Sequence, residues 1–281
     1  MSRRRAVVTG GSRGIGLAVA GALAARGWSV VLVARDASAL ERARGELPGE
    51  GHEAVALDVA DELSWLQLAG HFEELDGLVC AAGLIEPVGP IGSYSAADFR
   101  RTLEVNVVGT MLAIEACLPA LRSSRGAVAT FSGGGATAPL PRFDAYAASK
   151  AAVARLTENI AVELQSEGIL VNCIAPGFVA TDMHRATLAA GPELAGEAYF
   201  ERTRAEVERG GVPASEAAEL ACLLLEHDPN AEFTGKLISA QWDPWREEGF
   251  RRRLVEEPSL ATLRRIDDMF FVPISGGAGR A

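Results

Sequence analysis

The chain alternates between short runs that are apolar at nearly every position and longer stretches in which apolar residues recur every three or four positions. The short runs are AVVT at 6–9, VVLV at 30–33, AVAL at 54–57, GLVC at 77–80, AVATF at 127–131, LVNCI at 170–174 and KLIS at 236–239. Runs of this length, bounded by glycine and polar residues, predict seven strands buried on both faces. Between them, Ile15, Val19 and Leu23 line one helix face and Gly27 is placed to end it. Residues 144–167 form a second long helical pattern, with Asp144 available as N-cap and Gly168 beyond its end. Apolar strands separated by helices predict an α/β fold: one doubly wound, seven-stranded parallel sheet with helices on both faces.

No repeat or Pro/Gly/Ser linker divides residues 1–240, which are read as one domain. Residues 180–213 are polar and helix-prone and interrupt the alternation as a lid; residues 241–281 follow the last strand as a C-terminal extension whose final SGGAGRA is expected to be disordered. With 281 residues and 48% apolar content the chain can bury a sizeable core. No uninterrupted apolar run approaches the ~20 residues of a membrane span, so a soluble protein with no membrane partner is expected. The N-terminal MSRRRAVVTG lacks the apolar segment of a signal peptide. Cys80, Cys117, Cys173 and Cys222 are widely spaced in apolar surroundings, without a C-x-x-C pair or a nearby histidine. They read as reduced core thiols in a cytoplasmic protein without a metal site. A net charge of −10 argues against nucleic acid as a partner, and RRR at 251–253 reads as a solvated helix face.

Two stretches carry candidate chemistry. TGGSRGIG, Thr9–Gly16, joins the first strand to the first helix, where small residues let the backbone approach a pyrophosphate and the helix N-terminus presents free N–H groups. Its spacing is G-x-x-x-G-x-G rather than G-x-G-x-x-G. Tyr146 and Lys150 lie four apart on a predicted helix, one turn apart on one face. Because a phenol ordinarily titrates near ~10, a nearby cation is what would make Tyr146 a usable proton donor and acceptor.

With PGFVATDM at 176–183, these motifs resemble the short-chain dehydrogenase/reductase family over residues 5 to about 240. The resemblance implies a Rossmann-type domain that interconverts a ketone and a secondary alcohol on a small molecule with a nicotinamide dinucleotide. In the glycine turn it places Gly10, Ser12, Arg13, Gly14, Ile15 and Gly16 against the cofactor. Asp58 and Val59 of LDVAD would contact the adenine. In CAAG, Cys80 and Ala81 stand where the family has two asparagines, while Ala82 and Gly83 keep the small residues that face the cofactor. Thr181 and the backbone near Val179 would meet the nicotinamide carboxamide, with Pro176 and Gly177 also against the cofactor, Lys150 would hold its ribose, and Asn106 of EVNVVGT a relay water; Asn172 is given a structural role.

The family's substrate-orienting serine lies 13 residues before the tyrosine, and that position is Gly133. Ser132 lies 14 before and opens S-x-x-G with Gly135, so a one-residue insertion in the loop 136–145 would reconcile the two. Ser132 is taken as the orienting residue, which completes the catalytic set Asn106, Ser132, Tyr146 and Lys150.

An acidic residue ending the second strand would bind the ribose hydroxyls of NAD. Here Ala34 is followed by Arg35, and Arg13 adds a second cation, so NADP(H) is preferred; NAD(H), with Asp36 serving the ribose, is the alternative. The Glu- and Arg-rich lid suits a polar oxygenated substrate such as a sugar, a cyclitol or a secondary-metabolite ketone. Trp242 is expected to pack rather than bind. A homodimer or homotetramer through the helices around 96–121 and 144–167 is implied by the resemblance. The competing functions are an alcohol dehydrogenase working in the oxidative direction and a non-catalytic dinucleotide sensor.

Overall fold

A computed structural model of the chain describes residues 3–226 and 233–264. All seven expected strands form, each within one residue of the expected bounds: β1 (Arg5–Thr9), β2 (Ser29–Ala34), β3 (Glu53–Ala56), β4 (Gly77–Cys80), β5 (Ala127–Phe131), β6 (Leu170–Ala175) and β7 (Leu237–Ser239). They make one parallel sheet in the order β3-β2-β1-β4-β5-β6-β7. Winding reverses between β1 and β4, and the crossovers on either side of that point leave a crevice at the strand C-terminal ends.

Ten helices are described: α1 (Gly14–Ala25), α2 (Ala37–Glu46), α3 (Glu62–Ala69), α4 (Ala96–Leu103), α5 (Gly109–Ser124), α6 (Asp144–Leu164), α7 (Asp182–Ala195), α8 (Glu197–Glu208), α9 (Ala214–Leu225) and α10 (Glu248–Glu256). Successive strand residues point to opposite faces, so each strand feeds two cores. Ala6, Val8, Val30 and Leu32 pack beneath α1, α2 and α9 around Trp28. Val7, Val31, Val33 and Leu78 pack beneath α3, α5 and α6 around Trp65. This two-sided burial is why the strands carry no alternation of polar residues.

Two expectations about helices change. Asp144 is the first residue of α6, not its cap: Phe143, fully buried, takes the cap position without a side-chain bond. The Asp144 carboxylate instead accepts the Tyr94 hydroxyl at 2.6 Å. The stretch Ala96–Ser124, formed by α4 and α5 joined through one π-helical turn at Glu104–Val108, is long and apolar enough to cross a bilayer although charges interrupt its apolar runs. Half of its apolar 18-residue segment is buried in the fold, and the stretch packs against α3 and α6 as a core helix.

The lid is a helical flap between β6 and α9, made of α7, which is broken at Gly191, and α8. Its base is clamped by a bridge between Val179 and Gly211, and the Val212 N–H donates to the Phe178 carbonyl at 2.7 Å. The extension belongs to the core beneath α1 and α9: Trp245 and Leu254 are buried there, and Trp245 Nε1 donates to the Ala240 carbonyl. Buried Lys236, just before β7, donates to the carbonyls of Glu257, Pro258 and Leu260, all at 3.0 Å, and so fixes the C-terminal end of α10. Asn172 on β6 bonds Phe233 and Lys236 backbone atoms, the structural role expected of it. The SGGAGRA tail lies outside the described residues.

Candidate active site

A cleft of about 1590 Å³ opens above the C-terminal ends of β1, β4, β5 and β6, roofed by the lid. Its floor at one end is the glycine turn. A Cβ on Gly16 would run into the Gly10 carbonyl, and one on Gly10 would press on the Ala81 and Ala82 backbone, so only glycine lets the turn close against β4. Arg13 occupies the N-cap of α1 in extended geometry and makes no side-chain capping bond, and the first turn carries no acidic residue. The free N–H groups of that turn therefore offer a site for a phosphate. Thr9 Oγ1 accepts the Ala82 N–H at 3.2 Å, which ties the ends of β1 and β4 together. This cradle fits the pyrophosphate of a dinucleotide.

Along the cleft toward β2, Ala34 presents no carboxylate, and Arg35 is exposed. Asp36 caps α2, its carboxylate accepting the Ala39 N–H at 3.0 Å. Asp58 lines the cleft and pairs with Arg101. Burial works against its ionisation, but the Ala60 N–H and the Arg101 guanidinium outweigh it and hold the carboxyl below its ordinary range. Val59 is buried, and its carbonyl accepts the Trp65 indole N–H at 2.9 Å. Arg13 reaches across to the lid and pairs with Asp182 at 3.1 Å.

At the other end, α6 brings Tyr146 and Lys150 to the cleft floor, both buried. The Lys150 ammonium lies 5.7 Å from the Tyr146 ring centroid and donates to the Phe131 carbonyl at 2.9 Å. Burial pushes the Tyr146 phenol up and the Lys150 ammonium down to about 8, since each charged form is poorly solvated there. Asn106 sits in the π-helical turn. Its amide donates to the Leu84 carbonyl and to Ser149 Oγ, and its Oδ1 accepts the Leu84 N–H at 2.7 Å. The Asn106 carbonyl accepts the Thr110 hydroxyl at 2.8 Å. A Cβ on Gly83 would lie 3.3 Å from Asn106 Oδ1 and 3.5 Å from Lys150 Nζ. Asn106, Gly83, Tyr146 and Lys150 are thus gathered at one place. Ile15 and Thr181 line the same cleft, Thr181 beside Gly14, with Pro176, Gly177 and Val179 along the wall from β6.

The placement of Ser132 corrects the expectation. Its hydroxyl, 3% exposed, donates to the Lys150 carbonyl at 3.2 Å, on the backbone side of α6. Gly133 is the residue under the Tyr146 hydroxyl: a Cβ there would collide with that oxygen and lie 3.2 Å from Cζ. Ser132 and Gly133 follow directly on β5 and both line the cleft, but the serine hydroxyl is turned to the Lys150 carbonyl while Gly133 lies beneath the phenol oxygen.

Three cleft residues were not singled out from sequence as site residues. Tyr199 of α8 packs on Phe143 at 4.6 Å between ring centroids, and the Arg202 guanidinium lies 4.8 Å from its ring. His184 stacks on Phe178 at 3.9 Å, its pKa pushed down to about 4 by burial. Trp242, expected to pack, is 77% exposed at the cleft mouth, and Trp245 takes the packing role instead. No spacing rule ties lid or post-sheet residues to the glycine turn or to Tyr146.

The sequence profile of the short chain dehydrogenase family matches residues 4–190. Cis-4-hydroxycyclohexanecarboxylate dehydrogenase of Sinomonas cyclohexanicum is 38% identical over 205 residues, 67% of this chain and 81% of its own length. L-fucose dehydrogenase of Mus musculus is 35% identical over 225 residues, 78% of this chain and 81% of its own. Among solved structures, the KRED1-Pglu enzyme superposes with a TM-score of 0.73 at 32% identity, covering 84% of this chain and 100% of that one.

Proposed function

This chain is a member of the short-chain dehydrogenase/reductase family, and from that premise we propose that it uses NADPH to interconvert a ketone and a secondary alcohol on a polar, oxygenated small molecule. Oxidoreduction at an alcohol or carbonyl group with NAD(H) or NADP(H) is common to the family. The observation that carries it is the placement of Tyr146 and Lys150 on one buried face of α6 at the cleft floor, backed by Asn106 and Gly83.

A nicotinamide dinucleotide, when bound, supplies or takes the hydride. Tyr146 Oη gives its proton to the carbonyl oxygen in reduction and takes one from the alcohol in oxidation. Since burial holds the phenol protonated, Tyr146 is poised as the acid across neutral pH. Reduction therefore proceeds at neutral pH, where Lys150, with a pKa of about 8, is still charged. Lys150, whose ammonium reaches the Phe131 carbonyl, holds positive charge beside the phenol and stabilises its anion once the proton has left. Asn106 fixes the Leu84 backbone and, through Ser149, the turn of α6 that carries Tyr146.

The preference for NADP(H) rests on charge. Ala34 leaves the end of β2 without a carboxylate, one Asp36 oxygen caps α2, Arg35 is an exposed cation at that end of the cleft, and Arg13 is a second cation that a phosphate would draw from its pair with Asp182. A 2′-phosphate meets guanidinium there rather than carboxylate. The substrate class rests on Arg202, Glu206 and Tyr199, which the lid places along the cleft, and agrees with relatives named for a hydroxycyclohexanecarboxylate and for L-fucose. The same reading has the protein acting in the cytoplasm as a homodimer or homotetramer. Its supports are four buried free thiols and the apolar Met111 and Val162 exposed on α5 and α6.

The test is a panel of cyclic ketones, keto-sugars and their alcohols assayed with NADPH, NADH and the oxidised forms. Turnover with NADPH at least tenfold above NADH is expected. Tyr146→Phe should lose more than ~10²-fold in kcat while keeping NADPH affinity. A wild type without turnover on any member, yet binding NADPH, would favour the sensor reading.

A further inference from the structure

Resting on the proposed reductase reading, we infer that Tyr199 of the lid is the second hydroxyl donor to the substrate oxygen, taking the part left open by Gly133 and Ser132. Two observations lead there independently. First, the position facing the Tyr146 hydroxyl from the end of β5 is a glycine, and the adjacent serine is spent on the Lys150 carbonyl. Tyr146 is therefore without a hydroxyl partner on the sheet side, although a developing oxyanion is best stabilised by more than one fixed donor. Second, the lid brings a phenol to the same cleft. Tyr199 belongs with Phe143, Tyr146 and Ile85 in one apolar cluster, its ring against Phe143 three residues before Tyr146.

The surroundings of Tyr199 suit a donor. Its ring is held by Phe143 on α6, so that the hydroxyl is positioned by packing rather than by a mobile chain. Arg202, one turn along α8, lies with its guanidinium against the ring, and burial raises the Tyr199 pKa in spite of that cation, so the hydroxyl stays protonated and able to donate. Tyr199 is also near enough for its charge to oppose ionisation of Tyr146, which places the two phenols in one electrostatic neighbourhood. In the resulting division of labour the proton transferred to the substrate comes from Tyr146 alone. Tyr199 keeps its proton and hydrogen-bonds the oxygen from the lid side. Because the donor sits on the lid rather than on the sheet, productive orientation of the carbonyl requires the lid to be in place.

The experiment is steady-state reduction by wild type and Tyr199→Phe, using NADPH and the ketone that the wild type turns over fastest from cyclohexanone, 4-oxocyclohexanecarboxylate and inosose. NADPH affinity is followed by fluorescence and fold integrity by thermal melting. Phenylalanine keeps the ring that packs on Phe143, so the fold should be undisturbed. A loss of 10- to 100-fold in kcat/KM, carried mainly by kcat, with NADPH affinity within twofold of wild type, is expected. Turnover by Tyr199→Phe within threefold of wild type would overturn the inference and leave the reductase reading intact. So would a loss matched by an equal loss of NADPH binding, because that would mark Tyr199 as a structural part of the lid. A wild type that reduces none of the three ketones would instead overturn the reductase reading and this inference with it.

Discussion

At the scale of single residues, the decisive contrast is between Ser132 and Gly133. Ser132 is the obvious hydroxyl in the sequence, yet its bond to the Lys150 carbonyl makes it a fastener between β5 and α6. Ser132→Ala should therefore leave kcat/KM within a few-fold of wild type and lower stability by about 1 kcal/mol, the usual worth of a buried hydrogen bond. Denaturant unfolding beside the ketone assay measures both. Gly133 predicts the opposite balance. Its backbone does not demand glycine, but a methyl group there would meet the Tyr146 hydroxyl, so Gly133→Ala should displace the phenol. A loss of at least tenfold in kcat with little change in melting temperature is expected; unchanged kcat would mean that the loop yields freely. The serine could not be settled from spacing, because counting residues does not reveal which way each side chain points at a strand end.

At the scale of elements, helix α6 and the π-helical turn set the Tyr146 end of the cleft, and Lys236 sets the extension. The i,i+4 pair on α6 was legible in the sequence because helical periodicity is local. The π-helical turn was not: nothing in EVNVVGT announces that Asn106 will bond the Leu84 backbone, a contact across 22 positions. Nor did the sequence mark Lys236 as a staple. Its ammonium meets three carbonyls in the segment that follows α10, those of Glu257, Pro258 and Leu260. Lys236→Met should strip those carbonyls of their donor and destabilise the protein by about 1–3 kcal/mol, with early loss of protection in residues 248–261 under hydrogen exchange. Uniform exchange across α10 and the sheet would show that the staple is dispensable.

At the scale of the whole molecule, burial of Lys150 links the site to global stability. Its pKa of about 8 in the folded, cofactor-free protein lies below the ordinary lysine value of 10.5. Between those values the unfolded chain binds more protons, so this group's contribution to stability rises with pH. The cost of burying the ammonium is thus fully present below about 8 and relieved by about 10.5, and the shift corresponds to roughly 3 kcal/mol at most. Lys150→Met should be inactive yet about 1–3 kcal/mol more stable than wild type at pH 7, once the lost bond to the Phe131 carbonyl is set against that cost. The advantage should shrink as pH rises toward 10.5, read by chemical denaturation of both proteins without cofactor. A constant difference between the two would mean that Lys150 is not strained in the free protein.

The sequence by itself determined the α/β class, all seven strands, the glycine turn, and the Tyr146–Lys150 pair, because apolar runs, helical spacing and tight turns are written over a few consecutive residues. Only the tertiary structure decided which residue lies under the Tyr146 hydroxyl, that Trp242 stays exposed while Trp245 is buried, and that the lid brings Tyr199 to the cleft. Those outcomes depend on side-chain direction at element ends and on contacts between segments 50 or more residues apart. Local physical chemistry leaves such contacts open until the sheet and its two helical layers have packed.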